Sequence, residues 1–323
     1  MPACQVTADP PSGSVANGQV KSRVQHTERS GLLLAIAGFA ILSVGDAVVK
    51  TMAGAWPVTL VAALRFSIGA IALAGLLWAK QGAAAFRPRN PWIQLGRGVC
   101  LSISTLAFFS AIYVMPLAET MAITFVSPVL TAVLSGPLLG ERVRPAVWIA
   151  SAFALAGVFV ILRPNFLELG WAAIFPLVAA LFFSLVIILN RASAGQGSAL
   201  SMQFFMAAVA APILVVAAFG AKWVGIAGMD FGWPSLDMVL RCTFVALTAS
   251  TAHYLTYLGT TRAGAAQVAP ASYVQILVAS FFGWWWFDNT PDLLTMLGAA
   301  VVIGAGLYLW RDGLKLAQPN ITV

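Results

Sequence analysis

The stretch LAETMAITFVSPVLTAVLSGPLLGERV, residues 117–143, decides the fold. Between Glu119 near its start and Glu141 at its end it carries no charged residue. An uncharged helix of about 20 residues is what crosses a hydrocarbon core of about 30 Å. A soluble helix of that length carries a charged face, and this one has none. The run is too long and too uniformly apolar for the alternating, roughly ten-residue strands of a membrane barrel. Pro128 stands in its middle, so the span is expected to be interrupted.

The pattern recurs along the chain. Of 323 residues, 60% are hydrophobic and only 9% are charged, against about 25% in ordinary soluble domains. Ten spans are expected, over residues 31–52, 57–78, 95–114, 117–139, 146–162, 171–189, 199–219, 238–258, 265–287 and 293–310. Residues 1–30 are polar, lack the apolar core of a secretory signal, and are expected to form a disordered cytoplasmic tail. Residues 312–323 are expected to form a second cytoplasmic tail. The three cysteines, Cys4, Cys100 and Cys242, are too scattered for a disulfide framework or a metal site. No basic stripe interleaved with aromatics suggests nucleic acid.

The net charge of +7 has a topological meaning. With the N-terminus in the cytoplasm, thirteen of the 18 Lys and Arg residues fall on the inner side, four fall outside, and Arg65 lies within a span. This bias is the positive-inside signal. It places both termini in the cytoplasm of a multi-pass protein of the inner (plasma) membrane. Trp171 and Trp284–Trp286 fall near the outer boundary, and Trp148 and Trp310 near the inner one, as interfacial anchors.

The chain also reads as though written twice. At an offset of 147 residues, Leu130 aligns with Leu277, Ala132 with Ala279, Gly136 with Gly283, and Glu141 with Asp288. VVKTMAG (48–54) and LNRASAG (189–195) each close an apolar span with a base ahead of Ala and Gly. Five spans per half is an odd number, so the second half enters the membrane from the opposite side. The expected fold is therefore all-α, ten transmembrane helices in two five-helix inverted repeats at 31–163 and 170–311. In that architecture solutes bind near the midplane between the halves. The proline-bearing spans four (Pro128) and nine (Pro270) either line the site or are ordinary kinked helices of the kind membranes tolerate. Small residues at Ala150, Ala154 and Gly157, and at Ala300, Gly304 and Gly306, suit close helix packing or a homodimer contact.

Ten spans, a five-plus-five repeat, and PLAETMAITFVSPVLTAVLSGPLLGERV (116–143) resemble the EamA-type transporters of the drug/metabolite transporter superfamily. In the second copy WWWFDNT replaces LLGERV. The resemblance implies a solute carrier. It leaves open whether the solute is an amino acid, S-adenosylmethionine, riboflavin or another metabolite, and whether it is imported or exported.

Ionisable groups inside a membrane are costly and usually face the bundle interior. Counted from the span ends at 1.5 Å per residue, Asp46 lies about 9 Å and Arg65 about 12 Å deep. Lys50 and Glu119 lie nearer the outer mouth. Asp46 and Lys50 are four residues apart and share a helix face. They form either a self-neutralising pair braced by Arg65 or a cavity wall that meets a polar or zwitterionic solute. A carboxylate beside two cations holds its charge, which disfavours Asp46 as a proton carrier. Glu119 is the better candidate for a coupling proton, with His253 as the alternative; each also has a purely structural reading, as a helix N-terminal acid and a helix-to-helix hydrogen bond. Tyr273 and Gln275 fall near the midplane of span nine and could bond a solute. Phe108, Phe109, Tyr113, Phe182 and Phe183 either pack helices together or stack on it.

A membrane enzyme is the first rival function. The nucleophile-elbow and zincin motifs are absent from the sequence, and no cofactor is expected. A channel would need a polar filter or charge rings, which the sequence does not offer.

Overall fold

The computed structural model describes residues 13–115, 117–140, 143–162, 170–225, 232–287 and 293–315, with side chains from residue 27 onward. Among these residues every regular element is helical. Helix α1 spans Gly13–Lys50, α2 Val58–Gln81, α3 Pro91–Val114, α4 Leu117–Thr124, α5 Ser127–Leu139 and α6 Pro145–Leu162. The second half contains α7 (Ile174–Ala192), α8 (Ala199–Trp223), α9 (Leu236–Ala263), the short α10 (Ala265–Val268), α11 (Val274–Phe287) and α12 (Leu293–Lys315). Among the described residues six stretches are long and apolar enough to cross a membrane: Thr27–Lys50, α2, α3, α7, α8 and Ala265–Trp286. Two further apolar helices, α5 and Pro145–Gly157, are shorter.

The ends differ from the expected tails. Helix α1 already begins at Gly13, where the sequence reading places disorder through residue 30, and α12 runs on to Lys315. Once a helix is nucleated, each further residue adds a backbone hydrogen bond, so the apolar span extends into its polar flank. Residues 1–12 and 316–323 lie outside the described residues.

Both proline-bearing spans are broken. Helix α4 stops at Thr124 and α5 restarts at Ser127, with Pro128 in its first turn. Pro128 has no N–H to give, and its ring crowds the carbonyl four residues earlier. In the second half Gly264, at φ +91°, turns the chain from α9 straight into α10. Residues Ala269–Tyr273, containing Pro270, then form a 3₁₀ turn before α11. Several hydroxyls in the apolar spans are satisfied by their own helix: Ser102 donates to the Gly98 carbonyl at 2.8 Å and Thr131 to that of Ser127 at 2.9 Å.

Packing is organised in pairs. Helix α1 lies along α9, α3 along α7, α2 along α8, and α6 along α12. The α1–α9 seam is built on Gly31, Gly38 and Gly45, spaced seven residues apart. A Cβ on Gly38 would sit 2.7 Å from Thr256 Oγ1 and 2.8 Å from the Ala252 carbonyl, so only glycine allows this approach. The same three contacts show that α1 and α9 are antiparallel: Gly31 meets Gly259 and Ala263, whereas Gly45 meets Thr248. Ser43 adds a hydrogen bond to the Gln275 carbonyl, 3.1 Å away and 232 residues later in the chain. On α6, Ala150, Ala154 and Gly157 are buried, and Gly157 packs on the Gly298 carbonyl and Val301. Ala300 and Gly304 of α12 point outward instead. The outer surface is apolar, with Ile71, Phe153, Val216 and Phe219 all exposed, as suits a bilayer.

Candidate functional site

A cavity lies in the middle of the bundle. Asp46 and Leu42 of α1, Arg65 of α2, and Ser104, Thr105, Phe108 and Phe109 of α3 line it. Thr124, Phe125 and Ser127 come from the break between α4 and α5, Ala179 and Phe183 from α7, and His253 from α9. Ser272 of the 3₁₀ turn and Gln275 of α11 complete it. Both broken spans therefore reach the cavity through their irregular backbone, the place where membrane proteins tolerate such backbone.

Asp46 is 5% exposed and Arg65 4%, and both open onto this cavity. Among the described residues neither makes an ion pair or a hydrogen bond through its side chain, and the same holds for the Gln275 amide. Arg65 is held by aromatic faces. Its guanidinium carbon lies 4.5 Å from the Phe66 ring centre and 5.0 Å from that of Phe109. Cation–π contact fixes the plane and leaves the N–H groups uncommitted. Ser104, Thr124 and Ser272 donate their hydroxyls to the carbonyls of Ala179, Thr120 and Ala269, so their oxygens remain available as acceptors. One anion, one cation, an amide and a set of hydroxyl acceptors thus face an aromatic-lined space.

The remaining sequence candidates fall elsewhere or only partly here. Lys50 does not line the cavity. Its ammonium donates to the carbonyls of Ile112, at 2.6 Å, and Met115, at 3.1 Å. The cause is local: the last carbonyls of α3 have no partner in their own helix, and Lys50 reaches them. The self-neutralising Asp46–Lys50 pair is therefore not formed. Tyr273 is buried against Phe125, with ring centres 5.4 Å apart. Its hydroxyl lies 3.5 Å from the carbonyls of Phe125 and Ser151, which ties the broken span to α6 and turns it away from the cavity. His253 lines the cavity, and its Nε2 is enclosed without a hydrogen-bond partner. Glu119 belongs to α4, and its side chain lies outside the described residues. A second, smaller cavity adjoins the first; Arg65 and His253 line both.

Sequence reading missed Arg97. Counted as an inner-side base, it is fully buried. Its Nε donates to Asn190 Oδ1 at 2.9 Å, and its Nη1 to Gln94 Oε1 at 2.6 Å and the Met202 carbonyl at 2.9 Å. Its guanidinium lies 5.1 Å from the Tyr257 ring centre. Gln94 and Arg97, three residues apart on one helix face, together with Asn190 and Gln203 in apolar spans, are the signal that could have found it.

Comparison with known proteins agrees with this geometry. The EamA-like transporter family matches residues 29–163 and again residues 170–310. The chain is 27% identical to a riboflavin transporter of Rhizobium johnstonii, over 72% of this chain and 75% of that protein. It is 27% identical to a pseudopaline exporter of Pseudomonas aeruginosa, over 88% of this chain and 96% of that protein. An S-adenosylmethionine uptake transporter of Rickettsia bellii is 22% identical over 74% and 79% of the two chains. A solved crystal structure superposes with a TM-score of 0.73 at 20% identity, covering 90% of this chain and 99% of that one, which shows the same fold. Two family matches covering nearly all of the apolar chain, on a multi-pass helical bundle with a central cavity, establish that the protein belongs to the EamA-like transporter family, a family of transporters rather than enzymes.

Proposed function

We propose that the protein moves a small zwitterionic metabolite across the inner (plasma) membrane by alternating access, with both termini in the cytoplasm. The observation that carries this reading is the uncommitted Asp46 and Arg65 on one cavity. The two residues interact through space but make no contact ion pair or hydrogen bond, and a buried ion is stable only when its hydrogen bonds are satisfied; a solute bearing both signs would satisfy both residues at once. Gln275 would bond its polar atoms, and Phe108, Phe109 and Phe183 would cover its apolar part. Lys50 and Tyr273 are left out of the solute's contacts. His253 or Glu119 would carry a coupling proton.

The pairing of helices supports ten crossings in two inverted repeats. If α1, α2 and α3 correspond to α7, α8 and α9, then α1 on α9 and α7 on α3 are one contact made twice. The α2–α8 and α6–α12 pairs then lie across the pseudo-two-fold axis. The relatives named for uptake and for export accord with a fold that runs in either direction.

The test is solute flux in proteoliposomes, with the solute chosen by a thermal-shift screen of charged metabolites, since a ligand that binds only the folded protein raises its stability. Saturable flux with counter-flow, strongly reduced in Asp46→Asn and in Arg65→Ala, is expected. Ohmic conductance without saturation, or normal flux in both variants, overturns the proposal.

A further inference from the structure

Lys50 and Tyr113 of the first half, and Arg191 and Tyr257 of the second, make the same arrangement at opposite ends of the bundle. At the first, Lys50 closes α1 and donates to the carbonyls of Ile112 and Met115 at the end of α3. Tyr113 of α3 returns the contact, its hydroxyl donating to the Trp56 carbonyl at 3.1 Å with the Met52 carbonyl at 3.4 Å, both in the turn that joins α1 to α2. At the second, Arg191 closes α7 and donates to the Thr261 carbonyl near the end of α9, at 2.7 Å. Tyr257 of α9 donates to the Ser193 carbonyl just past α7, at 3.2 Å. In each case a base reaches the unpaired carbonyls of a neighbouring helix end, and a tyrosine from that helix reaches back.

Their placement gives them a task. Helices α1 and α9 pack as one pair, and α3 and α7 as another. Both pairs line the cavity: Asp46 of α1 and His253 of α9 from the first, Thr105 and Phe109 of α3 and Phe183 of α7 from the second. Because α1 and α9 run antiparallel, the α1–α3 clasp lies at one end of the cavity and the α7–α9 clasp at the other. Both are closed in this structure. The second is reinforced by Arg97, whose guanidinium rests against the Tyr257 ring.

We infer that Lys50 with Tyr113, and Arg191 with Tyr257, are the two latches of the transport cycle, each sealing one end of the cavity and released in alternation. They act as positioning residues and touch no solute. The inference rests on the alternating-access reading above and adds the residues that enforce it.

The experiment needs no solute. Thr105→Cys, in a chain whose own Cys4, Cys100 and Cys242 are replaced, places one thiol on the cavity wall. A membrane-impermeant maleimide is then added separately to each face of oriented vesicles. Lys50→Ala with Tyr113→Phe should raise labelling from the Lys50 face about fivefold or more, the effect expected from losing hydrogen bonds to helix-end carbonyls, and leave the other face unchanged. Arg191→Ala with Tyr257→Phe should do the converse, and Lys50→Arg should retain the seal. Should either double variant fail to fold, Tyr113→Phe and Tyr257→Phe alone, each removing a single oxygen, must show the same sidedness in smaller measure. Acceleration from both faces alike, or from neither, overturns the inference. Sided labelling without any solute flux would defeat the proposed solute while sustaining the latches.

Discussion

Asp46 and Arg65 stand on consecutive helices, line one cavity, and do not pair with each other. Arg65 is held by the Phe66 and Phe109 rings, and Asp46 is buried within its electrostatic reach. Two opposite charges that open onto one aromatic-lined space without an ion-pair contact are what a ligand bearing both signs would bridge.

Single substitutions should therefore act separately. Asp46→Asn and Arg65→Ala are each expected to reduce flux about 10- to 100-fold, the cost of one charged hydrogen bond, while the protein still elutes as a folded species from size-exclusion chromatography. The exchanged double variant Asp46→Arg with Arg65→Asp should not restore flux. Restoration would show that the two residues brace the helices.

Arg65→Lys keeps the charge and loses the planar group that stacks on two rings. Cation–π contacts contribute about 0.5–2 kcal/mol, and lysine cannot reproduce the fork of donors. A rise in KM of about three- to tenfold with little change in membrane content is expected, measured by flux against solute concentration.

Gly38→Ala places a methyl group against the Ala252 carbonyl and Thr256 hydroxyl. Overpacking of this kind costs about 1–3 kcal/mol, so the thermal unfolding midpoint should fall. Gly304→Ala, where a Cβ meets nothing within 4 Å, should leave it unchanged. A fall of equal size in both would show that the seam is not tight.

Arg97→Ala strips the donor from Gln94, Asn190 and the Met202 carbonyl together. Unsatisfied buried acceptors cost about 1–3 kcal/mol each. The yield of folded protein in detergent should collapse, with partial recovery in Arg97→Lys. Unchanged yield would mean that water fills the vacancy.

The apolar runs made the helical bundle legible, and Pro128 and Pro270 marked its two broken spans. Depth counting brought Asp46 and Arg65 to one cavity because rise per residue is fixed in a helix. Aromatics were harder: Phe108, Phe109 and Phe183 reach the cavity, whereas Tyr113 clasps a loop and Phe182 packs elsewhere. Which side of a helix faces a neighbour depends on rotation about its axis, and an evenly apolar helix gives no stripe to read it from. Arg97 was hidden for a related reason. Charge counting assigns a base to a membrane face but does not tell one in a loop from one turned into the bundle. Lys50 was misplaced because a long side chain can reach a neighbouring helix end as readily as a cavity. The seven-residue spacing of Gly31, Gly38 and Gly45 was in plain sight, but its partner, α9, lies in the other half of the chain.

That seam has a consequence for biogenesis. The atoms nearest Gly31, Gly38 and Gly45 of α1 all belong to α9, and Ser43 waits for Gln275, 232 residues later. At about 5–20 residues per second of synthesis, the first helix spends on the order of tens of seconds in the bilayer before its partner emerges. Throughout that interval Asp46 lacks its final surroundings. The first half therefore reaches its final packing only after the second half has been made, and until then the glycine face of α1 is left to lipid or to the other early helices.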